Sequence, residues 1–265
     1  MRRFTPEYLD RTRRGMWESR DALAGLELDS RSRILDVGCG TGQLTRVLAA
    51  ESPGATVVGA DADADLLRVA REETDPAYCA ADAHRLPFPD DSFDLVVCQA
   101  LLINLPEPVA AVREFARVSS ELVAAVEPDN ADVSVASTVD SEADLEARVR
   151  SAYIAGVDTD VALGERVRQG FLDAGLSGLR TRRYHHEKRV EPPYSEADLE
   201  SARLKASGGG LSIHESELTS ELSPDAYEEL RREWRRMGRE VVEQMSEGTY
   251  ERVEVVPFDV TVGRV

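Results

Sequence analysis

"RILDVGCGTGQL", Arg33 to Leu44, runs through an apolar stretch and an acid into three glycines at alternate positions. A strand that ends in a glycine-rich turn before a helix lets backbone approach a ligand closely, and the helix N-terminus offers N–H donors. A dinucleotide fingerprint would read G-x-G-x-x-G. Here Gly38, Gly40 and Gly42 are followed by Gln43, which stands where its third glycine belongs. Asp36, two residues upstream of the first glycine, would repel a diphosphate. A carboxylate there suits a ligand with an amine or a cation. The turn therefore reads as a site for a nucleoside bearing an amino acid.

Outward from that turn the pattern repeats. "RILDV", "ATVVGAD", "PAYCAAD", "FDLVVCQ" and "ELVAAVEP" are strand candidates, and "GQLTRVLAAE", "ADLLRVAREE" and "PVAAVREFARV" between them have helical spacing. Strand and helix in alternation imply a parallel sheet with helices on both faces. Ligands of such sheets lie at the carboxyl ends of the strands, where Asp36, Asp61, Asp82 and Gln99 fall. Beyond Glu127 the pattern loosens. A helix is predicted from about Ser141 to Ala155, opened by a Ser141/Asp144 capping box, and another from about Val161 to Ala174, stopped by Gly175. "LRTRRYHHEKRVEPP" and "RVEVVPFDVTVGRV" read as strands. Between them, residues 195–248 read as a helical insertion with a flexible "SGGGLS" and a long helix opened by Ser223-Pro224. That helix aligns Tyr227, Leu230, Trp234, Met237, Val241 and Met245 on one stripe, which either packs on the body or pairs with a second copy in a homodimer.

Composition bounds the partners. The chain has 265 residues, with 50 acidic against 32 basic residues and a net charge of −18. Only two of the basic residues are lysines, Lys188 and Lys205, a balance that resembles proteins of salt-loving archaea. An ordinary acidic cytosolic protein is the alternative. The charge weighs against a nucleic-acid partner, which needs a basic footprint. The helix arginines from Arg231 to Arg239 do not supply one, because Glu228, Glu233, Glu240 and Glu243 are interleaved at pairing distance. Cys39, Cys79 and Cys98 form no C-x-x-C pair and read as small buried residues, and no metal is called for. The start has no apolar signal core and no stretch reaches a membrane span, so a soluble, cytoplasmic protein without a membrane partner is expected.

With these residues assembled, the chain resembles the class I S-adenosylmethionine-dependent methyltransferases, in particular the small-molecule branch related to the ubiquinone/menaquinone C-methyltransferases. "LDVGCGTG" is similar to that family's first motif and "GADAD" to its second. "ADAHRLPFPDDSFDLVVC" is similar to the next two, and "LLINLPEPVAAVREFARV" to the helix after the fourth strand. The resemblance implies a Rossmann-like α/β fold with a seven-stranded, mostly parallel sheet. It also implies one methyltransferase domain over residues 1–265, with an N-terminal helical lid (1–30), a cofactor-binding core (31–130) and the insertion (195–248) as a cap before the last strand.

The resemblance implies S-adenosylmethionine as cofactor. Asp36 with the backbone of Gly38, Cys39, Gly40, Gly42 and Gln43 would hold the methionine moiety, and Asp61 both ribose hydroxyls. Ala62 would pack on the adenine, Asp82 and the Ala83 N–H would meet its edge, and Gln99 would lie beside the sulfonium. Taken singly, Asp36 or Asp82 could instead cap a turn, and the glycines could form a plain tight turn. Phe4, Tyr8, Met16 and Trp17 lie near helical spacing in the lid, and Tyr8, Trp17 and Asn104 are the substrate-side candidates. Many relatives place paired histidines after the fourth strand. This chain has Ile103 and Asn104 there, so no catalytic base is assigned. His84, His185, His186 and His214 read as surface or core residues.

The expected function is methyl transfer to a small molecule by direct displacement. An S-adenosylmethionine-binding regulator without transfer is the alternative, and an RNA or protein methyltransferase is third. The acid excess generates a prediction of its own. Carboxylate repulsion must be screened for the fold to persist, so the melting temperature should rise between dilute buffer and molar KCl. Equal melting temperatures would contradict a salt-adapted surface.

Overall fold

In a computed structural model, residues 5–13, 15–164 and 166–265 are described. Phe4, expected in the N-terminal helix, lies outside them. The first half of the chain runs α1 (Pro6–Arg13), β1 (Arg33–Val37), α2 (Gln43–Glu51), β2 (Thr56–Asp61), α3 (Ala64–Glu73), β3 (Ala77–Ala80) and β4 (Phe93–Gln99). It continues with α4 (Pro108–Val118), β5 (Ser119–Pro128), β6 (Ser134–Ser137), α5 (Glu142–Gly156), α6 (Arg166–Asp173) and β7 (Ser177–Val190). The rest is α7 (Glu196–Ser207), α8 (Gly209–Ser212), α9 (Glu215–Glu221), α10 (Pro224–Glu247) and β8 (Arg252–Arg264). Among the described residues no helix is long and apolar enough to cross a membrane.

Two compact units emerge. The first comprises residues 1–129, 163–184 and 258–265. Its sheet has the order β3-β2-β1-β4-β5-β8, with β7 also paired to β8. The first five strands are parallel and β8 runs antiparallel to β5. This is the mostly parallel sheet that the alternating pattern predicts, Rossmann-like as the resemblance implies, and with β6 and β7 it counts eight strands where seven were expected. Ile34, Leu35, Leu95, Val96, Val97 and the run Leu122 to Val126 are sealed from solvent. Such continuous apolar runs are the signature of strands covered on both faces. Parallel pairing also brings the carboxyl ends into line: Val37 lies beside Ala60 and Cys98, Asp61 beside Ala80, and Gln99 beside Val126.

The second unit comprises residues 130–162 and 185–257. It contains β6, a strand absent from the sequence-based expectation, which pairs antiparallel with Arg252–Val255 of β8. The helix predicted at Ser141 forms, but Ser141 makes no side-chain cap, so the expected capping box is not there. Ser137 and the buried Glu142 occupy that corner instead, joined at 2.5 Å. A true capping box opens α7, where Ser195 and Asp198 satisfy each other's backbone N–H groups. "SGGGLS", expected to be flexible, contains the short helix α8. Helix α6 starts at Arg166, later than the predicted Val161, and Gly175 follows its end at φ +92°.

The long helix α10 forms as the stripe predicts. The Ser223 hydroxyl accepts the Ala226 N–H, Pro224 sits in the first turn, and Gly248 closes the helix in the left-handed region. Tyr227, Leu230, Trp234, Met237, Val241 and Met245 are all buried in one cluster with Leu145, Ala202, Leu211 and Leu218. An ionic knot anchors the same unit. Glu142 is fully buried and accepts from both Tyr250 and Lys205, while Glu146 pairs with Lys205 at 2.7 Å and Arg252 at 2.6 Å. Burial opposes the Glu146 charge, but the two cations outweigh it and hold its pKa down at about 2.

The stripe is testable through its largest member. Trp234 is 7% exposed, so Trp234→Ala should cost about 3 kcal/mol of stability, read by urea unfolding. Unchanged stability would place the stripe outside the core.

Candidate functional site

The site grows from the end of β1. Positive φ values at Gly38 (+72°), Gly40 (+57°) and Gly42 (+79°) turn the chain sharply from strand into α2. A Cβ at Gly38 would meet Leu101 Cδ1 at 2.8 Å, so both backbone angle and space demand glycine there. The turn is stitched to β2: the Gly38 and Cys39 N–H groups donate to the Ala60 carbonyl at 2.7 and 3.1 Å. Asp61 completes the stitching. It is 7% exposed; one carboxylate oxygen accepts the Gly40 N–H at 2.8 Å and the other the Asp63 N–H at 2.8 Å. The strand end is thus buried, and Asp61 shapes the turn as well as facing it.

Asp36 is the most demanding group in this region. It is 1% exposed, and one oxygen accepts from the Thr45 hydroxyl at 2.6 Å. The other oxygen, Oδ1, is buried with no partner. Burial pushes the Asp36 pKa up to about 7, partly offset by the Thr45 hydroxyl and by the positive charge of Arg13. An orphaned buried carboxylate oxygen is costly and calls for a donor. The arrangement offers an ammonium or similar cation a place at the mouth of the turn.

At the end of β4, Gln99 is buried, its Nε2 directed to Met16 Sδ at 2.8 Å and its Oε1 left without a partner. Trp17 is likewise buried with an unpartnered Nε1. The N-terminal segment thus reaches the end of β4. Helix α1 also covers the glycine turn: a Cβ at Gly40 would lie 3.0 Å from Leu9 Cδ1. Tyr8 is exposed and Asn104 is buried, its amide nitrogen donating to the Ala100 carbonyl at 2.8 Å.

Beyond β3, Asp82 accepts the His84 N–H at 2.9 Å and meets the His84 ring at 3.0 Å. Half of that carboxylate is engaged in its own turn. Ala83 is buried, Ala62 is exposed, and Gln43 opens α2. Cys39 and Cys98 are buried, Cys79 is half-buried, and burial raises all three thiols. None has the electropositive, exposed setting of a reactive thiolate.

Two residues at this end of the sheet escape a motif search. Glu127, at the end of β5, is fully buried; its carboxylate accepts the N–H groups of Leu101, Leu102 and Ile103 at 3.0, 2.9 and 3.3 Å. It fixes the loop after β4, where Ala100 holds a φ of +48°. The signal was present, since "AVEP" is another strand that ends in an acid. Arg13 is the second; no local pattern marks it.

Residues 35–121 match the methyltransferase-domain family. Methyltransferase GfsG of Streptomyces halstedii is 38% identical over 100 residues, covering 35% of this chain and 36% of that relative. Demethylmenaquinone methyltransferase of Thermus thermophilus is 37% identical over 107 residues, covering 38% of this chain and 48% of that relative. The matches span less than half the length of these curated relatives. A protein assigned as a methyltransferase from Bacillus halodurans C-125 shares the fold, with a TM-score of 0.53 at 17% identity, over 92% of this chain and 99% of the other. Over residues 35–121 the chain thus matches the methyltransferase-domain family and resembles the quinone C-methyltransferases, S-adenosylmethionine being the cofactor that this likeness implies.

Proposed function

We propose that the chain transfers a methyl group from S-adenosylmethionine to a small-molecule acceptor. The observation that carries this reading is the orphaned, buried Asp36 Oδ1 at the mouth of a positive-φ glycine turn. A zwitterionic amino acid moiety would supply the missing donor, whereas a dinucleotide phosphate would be repelled. Bound there, the cofactor offers an electrophilic methyl on a sulfonium. Asp61 accepts from the ribose hydroxyls, a task suited to an ionised carboxylate. Asp82 and the Ala83 N–H read the adenine edge, and Ala62 packs on its face. Gln99 faces the reacting centre with its unpartnered carbonyl oxygen.

The chain's own contribution to rate is orientation. Holding donor and acceptor in line supplies much of the acceleration of a direct displacement. A base is needed only if the acceptor must lose a proton, and the place of the relatives' histidines holds Ile103 and the hydrogen-bonded Asn104. The quinone-type acceptors named for relatives such as the Thermus enzyme make a small aromatic acceptor the class to try first. Incubation with methyl-labelled S-adenosylmethionine and fractionated small-molecule extract should label a small product. Label in none of the fractions, with cofactor bound, would favour the regulator reading.

Two binding predictions follow from the carboxylates. Removing Asp61 in Asp61→Ala takes away a charged acceptor and should weaken cofactor binding by about 2–3 kcal/mol. Because Asp61 also holds Gly40 N–H, the variant's fold should be checked by circular dichroism. Unchanged binding would remove Asp61 from the site. Asp36 sets the pH dependence. Its carboxyl, raised to about 7, stays protonated below that pH and must ionise to meet an ammonium. Affinity for S-adenosylhomocysteine should therefore rise on the order of tenfold from about pH 5.5 to pH 7, with proton release on the acid side. Asp36→Asn should bind weakly with no such slope; a slope retained in that variant would contradict the assignment.

A further inference from the structure

The outer face of α10 carries charge that the chain leaves unused. The apolar stripe of this helix is buried, so the opposite face is turned to solvent. Arg232, Arg236, Arg239, Glu240, Glu243 and Glu247 lie on it, and all six are exposed. At about 100° per residue these positions share one arc of about 100°. The pairing expected along the helix is made only in part. Arg231 meets Glu228 at 3.2 Å, while Glu233 turns to Arg148 of α5 at 2.6 Å. Among the described residues none of the six outer charges forms an ion pair, and Arg232 donates through Nε to the Glu228 carbonyl.

The order of these charges matters. Three arginines come first and three glutamates follow. Each half is a block of like charge, which costs a helix stability at i, i+3 and i, i+4 spacing. Arg236 and Glu240, like Arg239 and Glu243, stand four apart with the base first, the weaker orientation for a pair within one helix. The glutamates also run to the carboxyl end, where the last turn has no basic residue and the helix dipole disfavours negative charge. The three arginines, with Glu229, Glu233 and Arg235, line a shallow groove of about 570 Å³.

A second copy of the same helix, laid antiparallel, answers both halves at once. With the crossing between residues 239 and 240, Arg232 of either helix lies opposite Glu247 of the other, Arg236 opposite Glu243, and Arg239 opposite Glu240. Two-fold symmetry makes each pairing twice. We propose that the chain forms a two-fold dimer through the outer face of α10, the glutamate ridge of each copy seated in the arginine groove of the other. The complement of the groove lies on the same face at matching spacing, which favours a second copy over an acidic partner of another kind. A parallel arrangement would set arginine against arginine. The contact covers residues 232–247, about 24 Å of helix. It is small and its ion pairs are individually weak, so a reversible dimer with a Kd on the order of 10–100 µM is expected. The inference needs no ligand and stands apart from the cofactor reading.

Charge exchange tests it. Sedimentation equilibrium is measured over chain concentrations that bracket this constant, at the lowest KCl concentration at which circular dichroism shows the chains folded, since salt screens the pairs. The wild type should dimerise. Reversing the basic half (Arg232→Glu, Arg236→Glu, Arg239→Glu) or the acidic half (Glu240→Arg, Glu243→Arg, Glu247→Arg) should weaken self-association at least about tenfold. Mixed together, the two variants should pair with each other. A chain carrying all six changes should dimerise again. That chain keeps the net charge of the wild type, so it separates pairing from general repulsion, and it serves if a half-reversed chain does not fold. A monomeric wild type overturns the proposal. So does a dimer that both reversals leave intact, which would place the interface elsewhere. A monomeric six-change chain overturns it as well, because charge pairing across α10 would then not hold the copies together.

Discussion

The bond between Asp61 and the Gly40 N–H organises the carboxyl end of the parallel sheet. It joins the end of β2 to the turn after β1, and the second carboxylate oxygen holds the start of the loop that leads into α3. The glycines could follow many paths, because glycine carries little conformational preference of its own. The carboxylate, together with the two bonds to the Ala60 carbonyl, selects one path. Parallel pairing of β1 with β2 and β4 then places Asp36, Asp61 and Gln99 along one edge. The remaining features of the site depend on that edge.

The same edge collects buried charge, which a fold does not tolerate without compensation. Glu127 shows one solution: three backbone N–H groups and the Cys98 thiol surround its carboxyl, and burial still raises it to about 7. Asp61 shows another, with an N–H on each oxygen. Asp36 is left incomplete, with one oxygen on Thr45 and one on nothing. Three acids at one sheet end, one of them under-satisfied, form an environment that favours a cation. Functional sites are where such unresolved electrostatics collect.

How far the sequence reveals this depends on the range of the cause. Strands β1 to β5 and the helices between them follow from local periodicity, and α10 follows from its stripe and its Ser223-Pro224 opening. The glycine turn and Asp36 are legible because their requirement is local backbone geometry. Ser141 does not cap α5, whereas Ser195 caps α7, although both precede acids at the right spacing. At Ser141 the buried Glu142 and its partners Tyr250 and Lys205 decide the corner, and these lie far along the chain. Strand β6 likewise exists through pairing with distant β8, and "SGGGLS" folds although its glycines favour freedom. Arg13 was not legible because nothing near it in the sequence says that α1 packs on Gly40.

The proposed function requires the turn to receive a nucleoside carrying an amino acid rather than a dinucleotide. Side-by-side calorimetric titration of the wild-type chain with S-adenosylmethionine and with NAD tests it most directly. Saturable, one-to-one binding of S-adenosylmethionine and none of NAD at comparable concentrations is expected. Tight binding of NAD, or no binding of S-adenosylmethionine, would contradict it.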